Sequence, residues 1–177
     1  MGQRGSSGVT EERRAVAKRM AFAAVATVAI WVVAWIAAPL SDGYRWRLLA
    51  GAMLGPALCL AGGVAFVARH RFFNSGAMAG ADPADDATLL QAQAYLRNTT
   101  EQALLAGFAY VAMSVTLPNS LLLALPFSAV TFVLGRIGFA IGSRGKARRR
   151  AFGFALTFYP TLAGLFASAL LLLISGG

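Results

Sequence analysis

Four long stretches of the sequence contain no charged residue, and they limit the possible fold more than any other feature. These stretches are 20–40, 48–68, 102–135 and 151–174. The first two have 21 residues each, which as helices extend over roughly 31 Å, about the thickness of bilayer hydrocarbon. Hydrophobic residues make up 58% of the 177 residues, more than a soluble domain of this size requires. The sequence therefore predicts an all-α integral membrane protein.

The third stretch is too long for one membrane crossing. Its 34 residues are interrupted by "LPNS" at 117–120, and Pro-Asn is a turn signal. We therefore expect a helical hairpin and five spanning helices in total. The two arms, 102–117 and 121–135, contain 16 and 15 uncharged residues, whereas a span requires roughly 20. Each arm must therefore continue past its first charged or strongly polar residue.

This shortage of apolar length brings polar side chains to the border of the hydrocarbon. Asn98 and Glu101 precede the first arm, and Arg136 follows the second. Arg69 and Arg150 end and begin other helices at the same level. We expect Glu101 and Arg136 to lie close to each other or to a shared ligand. Mutual neutralisation and helix bridging are the simpler roles for these groups.

The basic residues predict the orientation. With five spans, 14 of the 16 lysines and arginines fall on one side, which the positive-inside rule makes cytoplasmic. The N-terminus is then cytoplasmic, in what we expect to be a bacterial inner membrane. A cleaved signal peptide is the alternative for the first stretch, but its apolar part is longer than usual, which favours an uncleaved anchor. We divide the chain into a basic segment (1–19), an extra helix (20–40) and a membrane domain (48–177).

Several kinds of function find little support in the residues. The net charge of +9 favours anionic lipid head groups over nucleic acid, because no basic stripe alternates with aromatic residues. His70 and Cys59 are the single histidine and cysteine, too few ligands for a metal site. We expect His70 to be a solvated residue at the membrane interface.

Three short elements follow one another at the predicted helix ends. They are "RNTTEQ" at 97–102, "GRIGFAIGS" at 135–143 and "RRRAFGFALTFYPTLAGL" at 148–165. The first resembles an N-x-x-E element, and the other two resemble the end of the third helix and the start of the fourth, of the MAPEG family, the membrane-associated proteins in eicosanoid and glutathione metabolism. The resemblance covers roughly 70–165. It implies a bacterial-type member in which a MAPEG-like four-helix bundle has gained an N-terminal transmembrane helix.

The resemblance also implies a function and a set of site residues. The function is that of a membrane-bound glutathione-dependent transferase or peroxidase, a homotrimer with glutathione as co-substrate and a lipophilic electrophile as second substrate. Arg150 matches the catalytic arginine, which would hold the thiolate by charge, because arginine stays protonated and is no general base. The residues matched to glutathione binding are Arg69, Asn98, Glu101, Arg136 and Ser143.

Two departures keep a second interpretation open. Phe139 and Ser143 stand where many members of the family have tyrosines, and Ala94 stands where a basic residue is common. The alternative is a non-catalytic membrane protein of the same fold, in which the polar helix ends serve assembly.

Overall fold

A computed structural model of the protein describes residues 3–37, 44–74, 86–143 and 147–175. These residues form five α-helices and one short 3-10 helix at Asn119–Leu121. The all-α membrane fold expected from the sequence is thereby confirmed. The helices are α1 (Gln3–Ile36), α2 (Arg45–Phe73), α3 (Ala87–Thr116), α4 (Ala124–Ser143) and α5 (Ala147–Ser175).

Four of the five helices are long and apolar enough to cross a membrane. The spanning segments lie at Thr10–Ile36, Arg45–Phe73, Asn119–Gly142 and Arg150–Ser175. The remaining helix, α3, has 30 residues, but the polar residues around Asn98 lower its hydropathy. A helix that turns its polar side chains toward other helices does not need a uniformly apolar surface. The five expected helices therefore form. In the described residues, however, only four of the five expected spans are long and apolar enough to cross a membrane.

Helix α1 begins much earlier than the apolar stretch 20–40 predicts. It starts at Gln3 and continues through the rest of the basic segment 1–19 without a break. Its predicted end at Leu40 lies outside the described residues. It packs mainly along α5 and more briefly against α4. Ala23 and Ala34 are buried on the packed side, whereas Phe22 and Val25 are exposed. The exposed apolar side is suited to lipid.

Helices α4 and α5 approach each other most closely at a pair of glycines. A Cβ atom on Gly135 would lie 2.6 Å from Thr157 Cγ2 and 2.8 Å from the carbonyl oxygen of Gly153. One on Gly153 would lie 2.5 Å from the Phe139 amide nitrogen. Small residues allow this backbone contact between membrane helices. The crossing lies beside Arg136 and therefore determines what that side chain can reach.

The turn between α3 and α4 is held by an arginine from a third helix. Pro118 ends α3, because the residue before a proline is driven to extended backbone, and Leu117 has φ −67° and ψ 139°. At the start of α2, Arg45 donates hydrogen bonds to the carbonyl oxygens of Ser114 and Leu117 at 3.1 and 2.8 Å. It also donates to Asn119 Oδ1 at 2.7 Å. The predicted hairpin is thus confirmed.

The other end of α2 is joined to the start of α3 through His70. Asp86 caps α3 by accepting hydrogen bonds from the Thr88 and Leu89 amides. Its second carboxylate oxygen lies 2.6 Å from His70 Nε2. This hydrogen bond from His70 lowers the pKa of the Asp86 carboxyl. The expectation of a solvated His70 is wrong, because the side chain is only 18% exposed and is paired.

We expect Arg45→Gln to destabilise the bundle, because two turn carbonyls and the Asn119 amide oxygen lose their donor. Hydrogen bonds to a charged group contribute about 1.5–3 kcal/mol to stability. Arg47→Gln, an exposed change on the same helix, is the matched control. The measurement is the free energy of unfolding in mild detergent. Equal losses in the two variants would contradict the assigned role of Arg45.

Candidate functional site

A fully buried arginine lies where α3, α4 and α5 meet. Arg136 on α4 has 0% exposure. Its Nη1 donates to Asn98 Oδ1 on α3 at 2.6 Å, and its Nη2 donates to Thr157 Oγ1 on α5 at 3.0 Å. Gln102 joins the same cluster, since its Oε1 lies 3.3 Å from Thr157 Oγ1. One side chain therefore links three helices through two direct hydrogen bonds.

Aromatic rings cover the remaining faces of this guanidinium. Its central carbon lies 4.7 Å from the ring centroid of Phe139 and 5.9 Å from that of Phe132. A ring face attracts a cation most strongly where water is excluded. Among the side chains that the structure describes, no carboxylate pairs with Arg136 and its Nε has no acceptor. The buried charge is therefore held by neutral oxygens and by ring faces.

The expected approach of Glu101 to Arg136 does not occur within the chain. Glu101 Oε1 instead accepts from Arg97 Nε at 3.4 Å, with the two side chains 57% and 85% exposed. Thr99 and Gln102 are buried on the packed side of α3, and Asn98, four residues before Gln102, lies on that side with them. Glu101 is about 100° away from Gln102 and faces outward. Glu101 and Arg136 are therefore not neighbours within the chain, where Asn98 takes that place. The other expectation, a ligand shared by the two, stays a prediction.

The Asn98 side chain retains a donor group. Because a guanidinium only donates, the atom facing Arg136 must be the amide oxygen. The amide nitrogen then points away from Arg136. Asn98 can therefore hold Arg136 and still donate to a carboxylate on a neighbouring molecule.

A mostly apolar cavity of about 390 Å³ lies between α2, α3 and α4. Cys59, Tyr95 and Ile137 are among its lining residues, and Arg136 lies at its inner wall. Arg136 has no exposed surface. Its side chain therefore forms part of the cavity wall but is not accessible to a molecule inside the cavity.

The other predicted site residues lie apart from the buried cluster. Arg150 is exposed at the start of α5 and borders a second cavity, of about 300 Å³, with Phe139. Arg69 borders a third, of about 200 Å³, with His70, and lies over the Phe73 ring at 5.9 Å. Ser143 ends α4, and its side chain lies outside the described part. The chain thus joins Asn98 to Arg136 by a hydrogen bond, while Arg69 borders a different cavity.

The sequence analysis did not predict two members of the buried cluster, Gln102 and Thr157. Gln102 stands four residues after Asn98, a spacing that places both on one helix face, and this signal was available. Thr157 stands in an apolar stretch, where a hydroxyl often bonds to its own helix, as it does here to the Phe154 carbonyl at 2.8 Å. Its role depends on the close α4–α5 crossing, which local patterning does not reveal.

A comparison with known protein families identifies the family of this chain. The model of the MAPEG family matches residues 48–170. The protein belongs to the MAPEG family. No curated protein and no solved structure matches the chain significantly. The match begins in α2 and ends in α5, so α1 lies outside it. Membership and the four membrane-capable helices identify an integral membrane protein with a glutathione-related transferase, peroxidase or related function.

We expect two polar residues of α3 to differ sharply in their effect on stability. Asn98→Ala removes the Nη1 acceptor of a buried guanidinium and should cost about 2–3 kcal/mol. Glu101→Ala removes one partner of an exposed pair and should cost under about 1 kcal/mol. Unfolding of the purified protein in detergent measures both. A larger loss for Glu101→Ala than for Asn98→Ala would show that the cluster at Arg136 is not what holds these helices.

Proposed function

We propose that this protein is a membrane-bound glutathione-dependent transferase or peroxidase that acts on lipophilic electrophiles. In this proposal Arg150 stabilises the glutathione thiolate. The supporting observation is that the two arginines of the family-like helix ends have separate environments. Arg136 is buried among neutral partners, whereas Arg150 is exposed beside an apolar cavity.

Charge is the means by which Arg150 would act. A thiol with an unperturbed pKa of about 8.5 is mostly protonated at neutral pH, and each tenfold gain in thiolate requires about 1.4 kcal/mol of stabilisation. A guanidinium beside apolar walls supplies this because its field is less screened there than in bulk water. The thiolate then attacks an electrophilic carbon in transferase chemistry, or a peroxide oxygen in peroxidase chemistry. In the peroxidase case the O–O bond breaks, the alcohol leaves after protonation, and a second glutathione converts the resulting sulfenic acid to the disulfide and water.

The remaining roles in glutathione binding are proposed for Arg69, Asn98, Glu101, Arg136 and Ser143. Asn98 supplies its free amide donor, and the exposed Glu101 suits the ammonium group of glutathione. Arg69 offers a bidentate contact to a carboxylate. Arg136 is buried and does not contact glutathione directly. It instead holds the Asn98 amide in place by its hydrogen bond and contributes a positive electrostatic potential.

We further propose that the active unit is a homotrimer with its sites between subunits. Arg69 borders one cavity and Arg150 another, so one chain does not gather the proposed ligand contacts. Glu101 and Arg97 are exposed and available to a neighbour. A second copy that brings its own Arg69 toward Asn98 and Arg150 would complete the set. This arrangement is the one that family membership implies.

The proposed location is a bacterial inner membrane with the N-terminus in the cytoplasm. The segregation of 14 of 16 basic residues supports this orientation through the positive-inside rule. It places Arg150 and the basic start of α1 on the side where glutathione is abundant in the reduced form.

A non-catalytic role is the second candidate, and the buried cluster supports it. Asn98, Arg136, Thr157 and Gln102 bond to one another and so tie three helices together. Phe139 turns an apolar ring toward Arg136, where a tyrosine would offer a hydroxyl. In this case the cluster serves assembly alone.

We expect Arg150→Ala to lower the thiolate fraction of bound glutathione about tenfold at neutral pH, a loss of about 1.4 kcal/mol, with little change in glutathione affinity. Ultraviolet absorbance of the thiolate and calorimetric binding separate the two effects. Arg150→Lys should restore part of the thiolate, because it restores the charge. Arg19→Ala, an exposed arginine on α1, is the matched control.

Three outcomes distinguish the candidates. Thiolate formation in the wild type and its loss in Arg150→Ala support the proposal. Thiolate formation that persists in Arg150→Ala moves the role to another residue. A wild type that binds no glutathione favours the assembly role.

A further inference from the structure

Helix α1 contributes part of the wall of the cavity that contains Arg150. This cavity, of about 300 Å³, is lined by Val16 and Met20 from α1 and by Phe139 from α4. Arg150, Ala151 and Phe154 from α5 complete the lining. The family match begins at residue 48. Two of the six lining residues therefore belong to a helix outside the family pattern.

The position of α1 at this cavity is fixed by direct packing. The Phe22 ring lies 5.9 Å from the Phe152 ring on α5. Phe22 is two residues after Met20, and Phe152 directly follows Ala151. Farther along, Ala23 is fully buried. Val16 and Met20 are four residues apart and so share one face of α1. They are half-buried, which leaves their side chains available to a bound molecule.

The lining indicates what kind of molecule would fit. Five side chains are apolar, and one, Arg150, is cationic and exposed. The volume falls near the lower end of the range of small-molecule sites, roughly 300–1,000 Å³. An unbranched apolar chain suits the five apolar side chains, while a reacting carbon at one end would lie near the thiolate that Arg150 is proposed to hold.

We propose that this cavity binds the apolar body of the electrophilic substrate and that Val16 and Met20 on α1 limit the length of chain it accepts. The inference rests on the proposed function, because it places the electrophile beside the Arg150-bound thiolate. α1 then acts as a specificity-determining element, and not only as an additional membrane anchor.

The reaction for the test is the addition of glutathione to an α,β-unsaturated aldehyde. The thiolate sulfur forms a bond to the β-carbon, and the electrons of the carbon–carbon double bond move onto the carbonyl as an enolate. The enolate then takes a proton from water at the α-carbon and the aldehyde is restored. The proton lost by the thiol balances the one gained, so no oxidant or leaving group is needed.

The experiment measures kcat/KM for a series of unbranched α,β-unsaturated aldehydes with four to ten carbon atoms. Met20→Trp fills the cavity from the α1 side. We expect it to lower kcat/KM for the longest aldehydes about tenfold or more, since one methylene group in an apolar pocket is worth roughly that factor. The four-carbon aldehyde should change less than about twofold, because it does not reach α1.

Two further variants make the result specific. Met20→Ala enlarges the cavity and should shift the preference toward longer aldehydes, which also guards against a folding defect in Met20→Trp. Val25→Trp adds the same ring to the exposed face of α1 and should leave the chain-length profile unchanged.

The outcomes separate this inference from the proposed function. Absence of conjugation with every aldehyde in the wild type would overturn the inference, and it would overturn the proposed function as well only where the wild type also forms no glutathione thiolate. Conjugation with one chain-length profile in all four proteins would overturn the inference alone, and would assign the cavity to a lipid chain or a neighbouring copy. A profile that Val25→Trp alters as much as Met20→Trp would also overturn it.

Discussion

The burial of Arg136 is the constraint on which the described part of this bundle depends. A guanidinium is costly to remove from water, so its donors must find acceptors wherever it lies. Here the acceptors come from two other helices, Asn98 on α3 and Thr157 on α5. Their geometry is possible because Gly135 and Gly153 allow α4 and α5 to touch. The cluster thus fixes which faces of three helices meet.

This arrangement separates stability from proposed chemistry. Arg136 lies among neutral oxygens and aromatic rings, so its charge is fixed and unavailable for direct contact. Arg150 lies at the start of the next helix and is exposed. Phe139 connects the two regions, since its ring contacts Arg136 and also lines the Arg150 cavity. A tyrosine there would add a hydroxyl between the two arginines, whereas phenylalanine offers no hydrogen-bonding group to either.

Most of the fold could be predicted from the sequence, because the thickness of the membrane sets the length of a helix that crosses it. The hairpin at 117–120 followed from a length argument and appears as the turn that contains Asn119–Leu121. The helical phase was harder to predict. Glu101 was expected beside Arg136 or a shared ligand, but α3 is rotated so that Gln102 faces inward instead. Neither the Thr157 contact nor the His70–Asp86 bond could be predicted, because both depend on how separate helices pack.

A structure of the purified protein with glutathione bound would show which arginine holds the thiolate. We predict that the glutathione sulfur lies within hydrogen-bonding distance of the Arg150 guanidinium, with Arg136 still bonded to Asn98 and Thr157. We also predict that the ligand touches a second copy of the chain. A sulfur beside Arg136, or an Arg136 that has left Asn98 to bind glutathione, would contradict the separation of the structural arginine from the catalytic one.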